Sequence, residues 1–495
     1  MKTKFNIILL VILTITMSCS NYLDINDNPN SPSADVVTPD LVLAGALAST
    51  YRQQARRMNI LGNVMMNRWG ANVNAFTGGF SEEFSLAIDN GFYDDIYDGL
   101  YLTTANFQAI LDYQGDDYNN HKAIAKIMKA YYFQYLVDLY GDIPYTEAHK
   151  GIANLTPTYD DDATIYRSLV SEVDDAIALI ASSGSSAAVG SEDIVYGGTM
   201  SNWVLFGNTL KLRLLLRQST KAYTLANDAE LATYLDTQFA ALDGSSFINL
   251  DATINPGYSN GQVAQQNPFY ALMFSNDEST SVSYNFYRGS DYAIEFLKGN
   301  FPGAVPDARL GQLYGLNDDN QYVGHTQGFD GTQSPASLSP IGPGLVINSA
   351  QDGYLMTAAE SYFLQAEAQL LGKISGDAQT SFQAGIDASF NLFGEDSSTY
   401  NPTTPTIGWA GTDAEKTAAI MRQKWVALNG INGIESYIEF TRTGYPAGIP
   451  LATTAQSSTR PKRLLYPSSE LISNASNVPS VSSAQAFATG PFWAQ

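Results

Sequence analysis

The chain reads as all-α, built from tetratricopeptide-like helical hairpins with long irregular loop insertions. Three observations carry this: apolar residues recur at helical spacing towards both ends, regular stop signals close those runs, and a long central stretch abandons the pattern.

The first eighteen residues form a separate unit. Lys2 and Lys4 make a short basic head, and Phe5 to Met17 is apolar apart from Asn6, Thr14 and Thr16, the layout of a secretion signal. This run is shorter than the roughly 20 apolar residues a bilayer span needs. Residues 1–18 are therefore expected to be a lipoprotein signal peptide. Cys19, the sole cysteine of 495 residues, would then be the lipid-bearing mature N-terminus. Ser18 supplies the small residue before the cut, although Thr16 and Met17 depart from the usual pattern. A lipidated Cys19 leaves no thiol for a disulfide or a metal. Residues 19–38, rich in Asp, Asn and Pro, read as an extended tether.

Helical runs follow over 40–60 and 92–112. In "HKAIAKIMKAYYFQYLVDLYGDIPY" the residues Ile124, Ile127, Met128, Tyr131, Tyr135 and Leu139 share a face, and Gly141 and Pro144 end the helix. Further runs are expected over 163–181 and 200–222. From about 244 to 350 Gly, Pro, Asn and Tyr dominate, a loop-rich insertion of the kind that carries binding sites on a helical scaffold. Helical spacing resumes in "GYLMTAAESYFLQAEAQLLGK", with Leu355, Ala359, Tyr362, Phe363, Ala366 and Leu370 in one stripe closed by Gly372, then over 377–392 and 412–429. No strict 34-residue period appears, so any tetratricopeptide packing is degenerate. No linker divides residues 19–495, which read as one domain.

Charge narrows the function. The chain carries 26 basic and 49 acidic residues; without residues 1–18, which hold two lysines and no acid, the formal charge is −25. That disfavours nucleic acid and other polyanions. The 30 tyrosines, with abundant amides, suit neutral polar ligands instead.

Catalytic and metal motifs fail on context. Gly257-Tyr258-Ser259-Asn260-Gly261 matches the esterase elbow G-x-S-x-G, but Asn255-Pro256 precedes it and a polar stretch follows, where a buried strand and a helix are required. It reads as a turn. Asp24, Asn26, Asn28 and Asp35 fit part of a calcium loop, yet Pro29 stands where that loop needs glycine. Glu360 and Glu367 could mimic a glycosidase pair, but read better as structural partners of arginines such as Arg442 or Arg463. Three histidines, His121, His149 and His325, form no metal motif. No catalytic residue, metal or cofactor is expected.

"CSNYLDINDNPNSP" resembles the start of SusD/RagB-type lipoproteins, and four later stretches agree in order: "LVDLYGDIPYTEA", "MTAAESYFLQAEAQLLGK", "KWVALNGINGIESYIEFTRTGYP" and "RPKRLLYPSSELISN". The loop that usually reads Asp-Pro-Arg is Asp307-Ala308-Arg309 here, and the dense acidic run that favours surface export is missing after Cys19. The resemblance implies a non-enzymatic outer-membrane protein, lipid-anchored and surface-exposed. It would capture oligosaccharides, or peptides as in some members, for a SusC-like TonB-dependent transporter.

Sugars offer C–H faces to aromatic rings and hydroxyls to polar side chains. On that chemistry the expected ligand-binding residues are Trp69, Asn72 and Phe76 in "NRWGANVNAFTGG", Tyr287, Arg288, Asp291 and Tyr292 in "NFYRGSDY", Tyr322 and Phe329, and Trp409 in "TIGWAGT". The anchor has its own test. A clickable palmitate analogue fed to cells should label the wild-type chain and not Cys19→Ser; equal labelling would rule the anchor out.

Overall fold

The computed structural model describes residues 37–71, 80–184, 186–225, 228–329 and 333–494. Cys19, the calcium-like segment, Asn72 and Phe76 lie outside them. Eleven helices form the scaffold: α1 (Pro39–Gln53), α2 (Asn59–Met65), α3 (Asp94–Asp112), α4 (Asn119–Tyr140), α5 (Asp162–Ser182), α6 (Met200–Thr220), α7 (Ala229–Leu242), α8 (Ala358–Leu370), α9 (Ala378–Leu392), α10 (Asp413–Ala427) and α11 (Gly433–Thr443). A wider π turn, Gln54–Met58, joins α1 to α2. Neighbours pair as expected of helical hairpins: α1 with α3, α3 with α4, α4 with α5, α5 with α6, and α8 with α9. The protein is an all-α, tetratricopeptide-like fold.

Local chemistry sets the helix ends. Asp161, Asp228, Thr357, Asp377 and Thr412 each accept a backbone N–H at a helix start, and at Thr412 the Glu415 side chain completes a capping box. The α8 helix begins later than its apolar stripe predicts. Leu355 belongs instead to strand β4 (Gly353–Met356), which pairs antiparallel with β2 (Ala252–Ile254). A second two-stranded ribbon joins β1 (Trp69–Ala71) to β3 (Tyr287–Gly289). Between 244 and 350 the longest helix among the described residues is Asp291–Leu297, seven residues.

The α2–α11 crossing is unusually close. A Cβ on Gly62 would lie 2.0 Å from the backbone carbon of Gly433, so only glycine permits the approach. Amide side chains stitch the crossing: Asn59 Nδ2 donates to Gly430 O at 2.7 Å, and Gly433 N donates to Asn59 Oδ1 at 2.9 Å.

The centre is held by charge. Arg217 on α6 lies 2.7 Å from Glu435 and 3.2 Å from Asp138, and also pairs with Glu439. Arg213, one turn earlier, reaches Glu360 at 3.1 Å. Lys424 sits 3.4 Å from Glu435, and Arg442 grips Glu367 through two bonds of 2.8 and 2.9 Å. All these side chains are buried, so removing one partner strands the other without water. The glutamate pair is thus structural, as the sequence reading has it, with a change of partner: Arg442 holds Glu367 and Arg213 holds Glu360. Arg463 instead donates to Tyr140 O. The Asp307-Ala308-Arg309 loop keeps a buried ion pair, with Arg309 Nη2 2.7 Å from Asp307 Oδ2 and Nη1 donating to Ser389 at 2.7 Å.

Burial alone would raise the Glu439 carboxyl, but Arg442, Lys424 and Arg217 outweigh it and hold the pKa far below its ordinary 4.5. A depressed carboxylate stabilises the fold fully above its unfolded pKa, and that stabilisation drains away as pH falls below about 4.5 towards the folded value. Glu439→Gln should therefore cost about 3–5 kcal/mol at pH 7 and flatten the loss of stability below that point. Urea denaturation of wild type and variant from pH 7 to 3 measures both.

Candidate functional site

The ribbon of β1 and β3 unites stretches more than two hundred residues apart, with Trp69 opposite Gly289 and Ala71 opposite Tyr287. The 321–329 loop joins them. His325 N donates to Gly289 O at 2.9 Å, Asp291 N donates to His325 O at 3.0 Å, and Gln327 Nε2 donates to Trp69 O at 2.7 Å. Three of the four predicted ligand-binding stretches thus converge.

Their side chains divide into supports and surfaces. Trp69 is fully buried, stacked between Phe269 (centroids 5.8 Å apart) and Tyr287 (5.9 Å), and its indole N–H has no partner. Tyr287 in turn lies nearly parallel to Phe80, at 5.3 Å and 6°, and Phe286 tilts against both rings. The result is a column of rings, Phe269–Trp69–Tyr287–Phe80. Trp69 is therefore the fully buried brace of the column, while Tyr287 and Phe80, themselves buried but for a narrow edge, reach a cavity.

Phe80, Phe286 and Tyr287 form one wall of an open cavity of about 550 Å³. Tyr93, Arg57 and Glu83 form another, and Ser81, Glu82, Gly91, Val282 and Ser283 complete the lining. The Arg57 guanidinium sits 4.2 Å over the Tyr93 ring and 2.7 Å from Asp95. Tyr93 donates to Glu83 Oε1 at 2.7 Å, and burial raises the Glu83 carboxyl despite that bond. Phe80 (φ 52°) and Tyr93 (φ 53°) both hold left-handed backbone, a cost of roughly 1–3 kcal/mol each that the surrounding packing sustains.

The other predicted residues take different places. Arg288 is buried, and its guanidinium donates to the carbonyls of Tyr284, Tyr287 (2.9 Å) and Pro335 (3.2 Å), a structural clamp. Tyr292 is half-buried between Phe301 and Trp425, its hydroxyl accepting from Arg422 at 3.0 Å. Asp291 is exposed, Tyr322 is half-buried, and Phe329 keeps 43% of its surface. Trp409 stands apart, half-buried against Phe382 of α9 at 5.2 Å.

Arg57, Phe80, Glu83, Tyr93 and Phe286 escape the sequence reading. Phe286 adjoins Tyr287 within the quoted "NFYRGSDY", and Phe80 immediately follows the glycine pair ending "NAFTGG", so both stood within sight.

Among the described residues no hydrogen bond joins Ser259 to a histidine. Asn255 Oδ1 accepts from the N–H groups of Gly257 and Tyr258 at 2.9 Å each, an Asx turn that presents Ser259 to solvent. His325 is buried, and burial lowers its pKa to about 4. Asp142, Asp161 and Asp162 bring carboxylate oxygens within 4.8 Å of one another. They already serve the fold: Asp142 accepts Asp162 N at 3.0 Å and Asp162 accepts Phe492 N at 2.7 Å.

The family model described as SusD-like, starch-binding and associating with the outer membrane, matches residues 29–467. The chain belongs to this SusD-like family. None of the curated proteins matches it in sequence. Solved structures share the fold. A chitin-binding SusD homolog from Flavobacterium johnsoniae superposes with a TM-score of 0.75 at 22% identity, covering 92% of this chain and 98% of its own. A SusD-like protein from Bacteroides thetaiotaomicron gives 0.72 at 22% identity, covering 91% and 98%, and a SusD homolog from Bacteroides fragilis 0.71 at 22%, covering 92% and 99%. No helix among the described residues is long and apolar enough to cross a membrane.

The brace and the surface make opposite demands on a SusD-like scaffold. Trp69→Ala should cost about 3–5 kcal/mol, and Phe329→Ala under about 1 kcal/mol, in urea denaturation.

Proposed function

We propose that this protein captures neutral oligosaccharides at the cell surface, on a lipid tether at Cys19, and passes them to a SusC-like TonB-dependent transporter without cleaving them. The observation that carries the reading is the cavity walled by Phe80, Tyr287 and Phe286 on one side and Tyr93 on the other. Rings stacked in a column are fixed before a ligand arrives, so a sugar's C–H face meets a surface that loses little freedom on binding. Hydroxyls of Ser81 and Ser283 and the carboxylates of Glu82 and Glu83 stand within the same lining to bond sugar hydroxyls. Two of the eight non-glycine residues with left-handed backbone among the described residues, Phe80 and Tyr93, fall on this cavity, and strain of this kind can help a site hold one shape. The family's description as starch-binding and the chitin-binding relative point the same way.

A binding role also accords with the chemistry of the discarded motifs. The Ser259 turn lacks a base, and Glu360 and Glu367 are each locked to an arginine in the core. Neither group is placed to protonate a leaving oxygen.

Val282 is 57% exposed in the cavity lining, so Val282→Arg should cross the opening without disturbing the core. On a glycan and peptide array the wild type should bind neutral oligosaccharides with little salt dependence, and Val282→Arg should bind them at least about tenfold more weakly. Binding to peptides alone would replace the sugar reading. Release of reducing ends during incubation would replace the non-catalytic one.

A further inference from the structure

A second groove lies on a different part of the scaffold. It encloses about 800 Å³ between one face of α9, carrying Gln379, Gln383 and Asp387, and the 401–410 segment, carrying Asn401, Thr403 and Trp409. The spacing of 379, 383 and 387 places three polar side chains in a row along the helix. Phe382 backs the indole of Trp409 at 5.2 Å. The two grooves rest on different cores: Trp409 packs on the smaller cluster around Phe363, Phe382 and Phe390, whereas Tyr287 belongs to the main one.

We propose that this groove is a second contact site for neutral oligosaccharides, independent of the Tyr287 cavity; the proposal rests on the sugar-capture reading above. Its chemistry is that of a sugar subsite. Trp409 supplies a large, half-buried ring whose N–H makes no hydrogen bond among the described residues. Asp387 receives Gln383 at 3.0 Å and Ser397 at 2.6 Å on Oδ1, which leaves Oδ2 free to accept a hydroxyl. The side chains of Gln379, Asn401 and Thr403 are exposed and offer both donors and acceptors. The lining contains two carboxylates, Asp377 and Asp387, and no arginine or lysine. Lys416 lies 5.8 Å from the Trp409 ring centre, where Asp413 holds it at 3.0 Å. An anionic glycan would meet repulsion here, and an apolar ligand would strand the amides and the carboxylates. An uncharged, hydroxyl-rich chain satisfies both.

The tryptophans themselves provide the measurement. Of five, Trp69, Trp203, Trp425 and Trp493 are at most 2% exposed, so Trp409 is the one in contact with solvent. The full chain, purified in mild detergent and labelled with 5-fluorotryptophan, should show one fluorine signal that disappears in Trp409→Phe. Malto-, cello-, xylo- and chitohexaose are then titrated into the wild type and into Val282→Arg. For at least one sugar, the Trp409 signal should shift saturably in both proteins. In the Val282→Arg background Trp409→Ala should weaken calorimetric binding about three- to tenfold, and Asn401→Ala, a change at an exposed side chain, about twofold or more. Wild-type binding with an unmoved Trp409 signal would overturn the second site and leave the first cavity standing. A Trp409 shift abolished by Val282→Arg would overturn its independence. No binding of any of the four sugars would overturn both sites together.

Discussion

The fold depends on the fate of Arg217. A guanidinium taken out of water must be repaid by carboxylates in fixed positions, and this one collects three: Asp138 from α4 and Glu435 and Glu439 from α11. These partners tie α6 to both α4 and α11. Arg213 adds α8 through Glu360, Lys424 adds α10, and Arg442 returns to α8 through Glu367. Apolar contacts alone would tolerate sliding between stacked hairpins; point charges buried at about 3 Å do not. The network therefore fixes the mutual register of the scaffold helices. The contribution is to uniqueness more than to net stability, since desolvating so many ions offsets most of the attraction.

From that rigid frame the site follows by a short chain of contacts. Asn59 and Asn63 on α2 bind the backbone at Gly430, and Asn63 also receives Arg68 at 3.2 Å, one residue before β1. Arg68 O accepts Ser290 N at 2.9 Å and the Tyr314 hydroxyl at 2.8 Å, which anchors the central loops to the same point. Loops too long to order themselves are thus seated on a helix crossing that glycine alone allows. The aromatic column then projects from this seat to the cavity.

Much of this was legible in the sequence, and the omissions have physical causes. The α4 helix announced itself by its apolar spacing and its Gly141 stop, and α10 lies within the run expected over 412–429. The α11 helix did not. Its Glu435 and Glu439 look like a solvated face in "GIESYIEFTRT", while in the structure they join Arg442 in the core network. The α7 helix has a signal in Leu231, Leu235, Phe239 and Leu242, one stripe behind an Asp228 cap, but it is short and lies between the run over 200–222 and the loop-rich insertion. At the candidate site, composition marked three loops that the structure brings together, because aromatic, amide and glycine residues cluster in them. Which ring is brace and which is surface depends on the pairing of β1 with β3, a contact with no local signature. Trp69 and Tyr287 looked equivalent in the sequence; only their register separates them.

The C-terminal segment closes the frame. Trp493 Nε1 donates to Asp138 Oδ1 at 2.9 Å, and Phe492 N donates to Asp162 at 2.7 Å, so two of the last residues complete hydrogen bonds deep among helices laid down much earlier in the chain. Asp138 shares its carboxylate among Arg217, Tyr166 and Trp493. The segment carrying Phe492 and Trp493 is thus a clasp across α4 and α5, and its removal would leave two buried carboxylates each short of a donor.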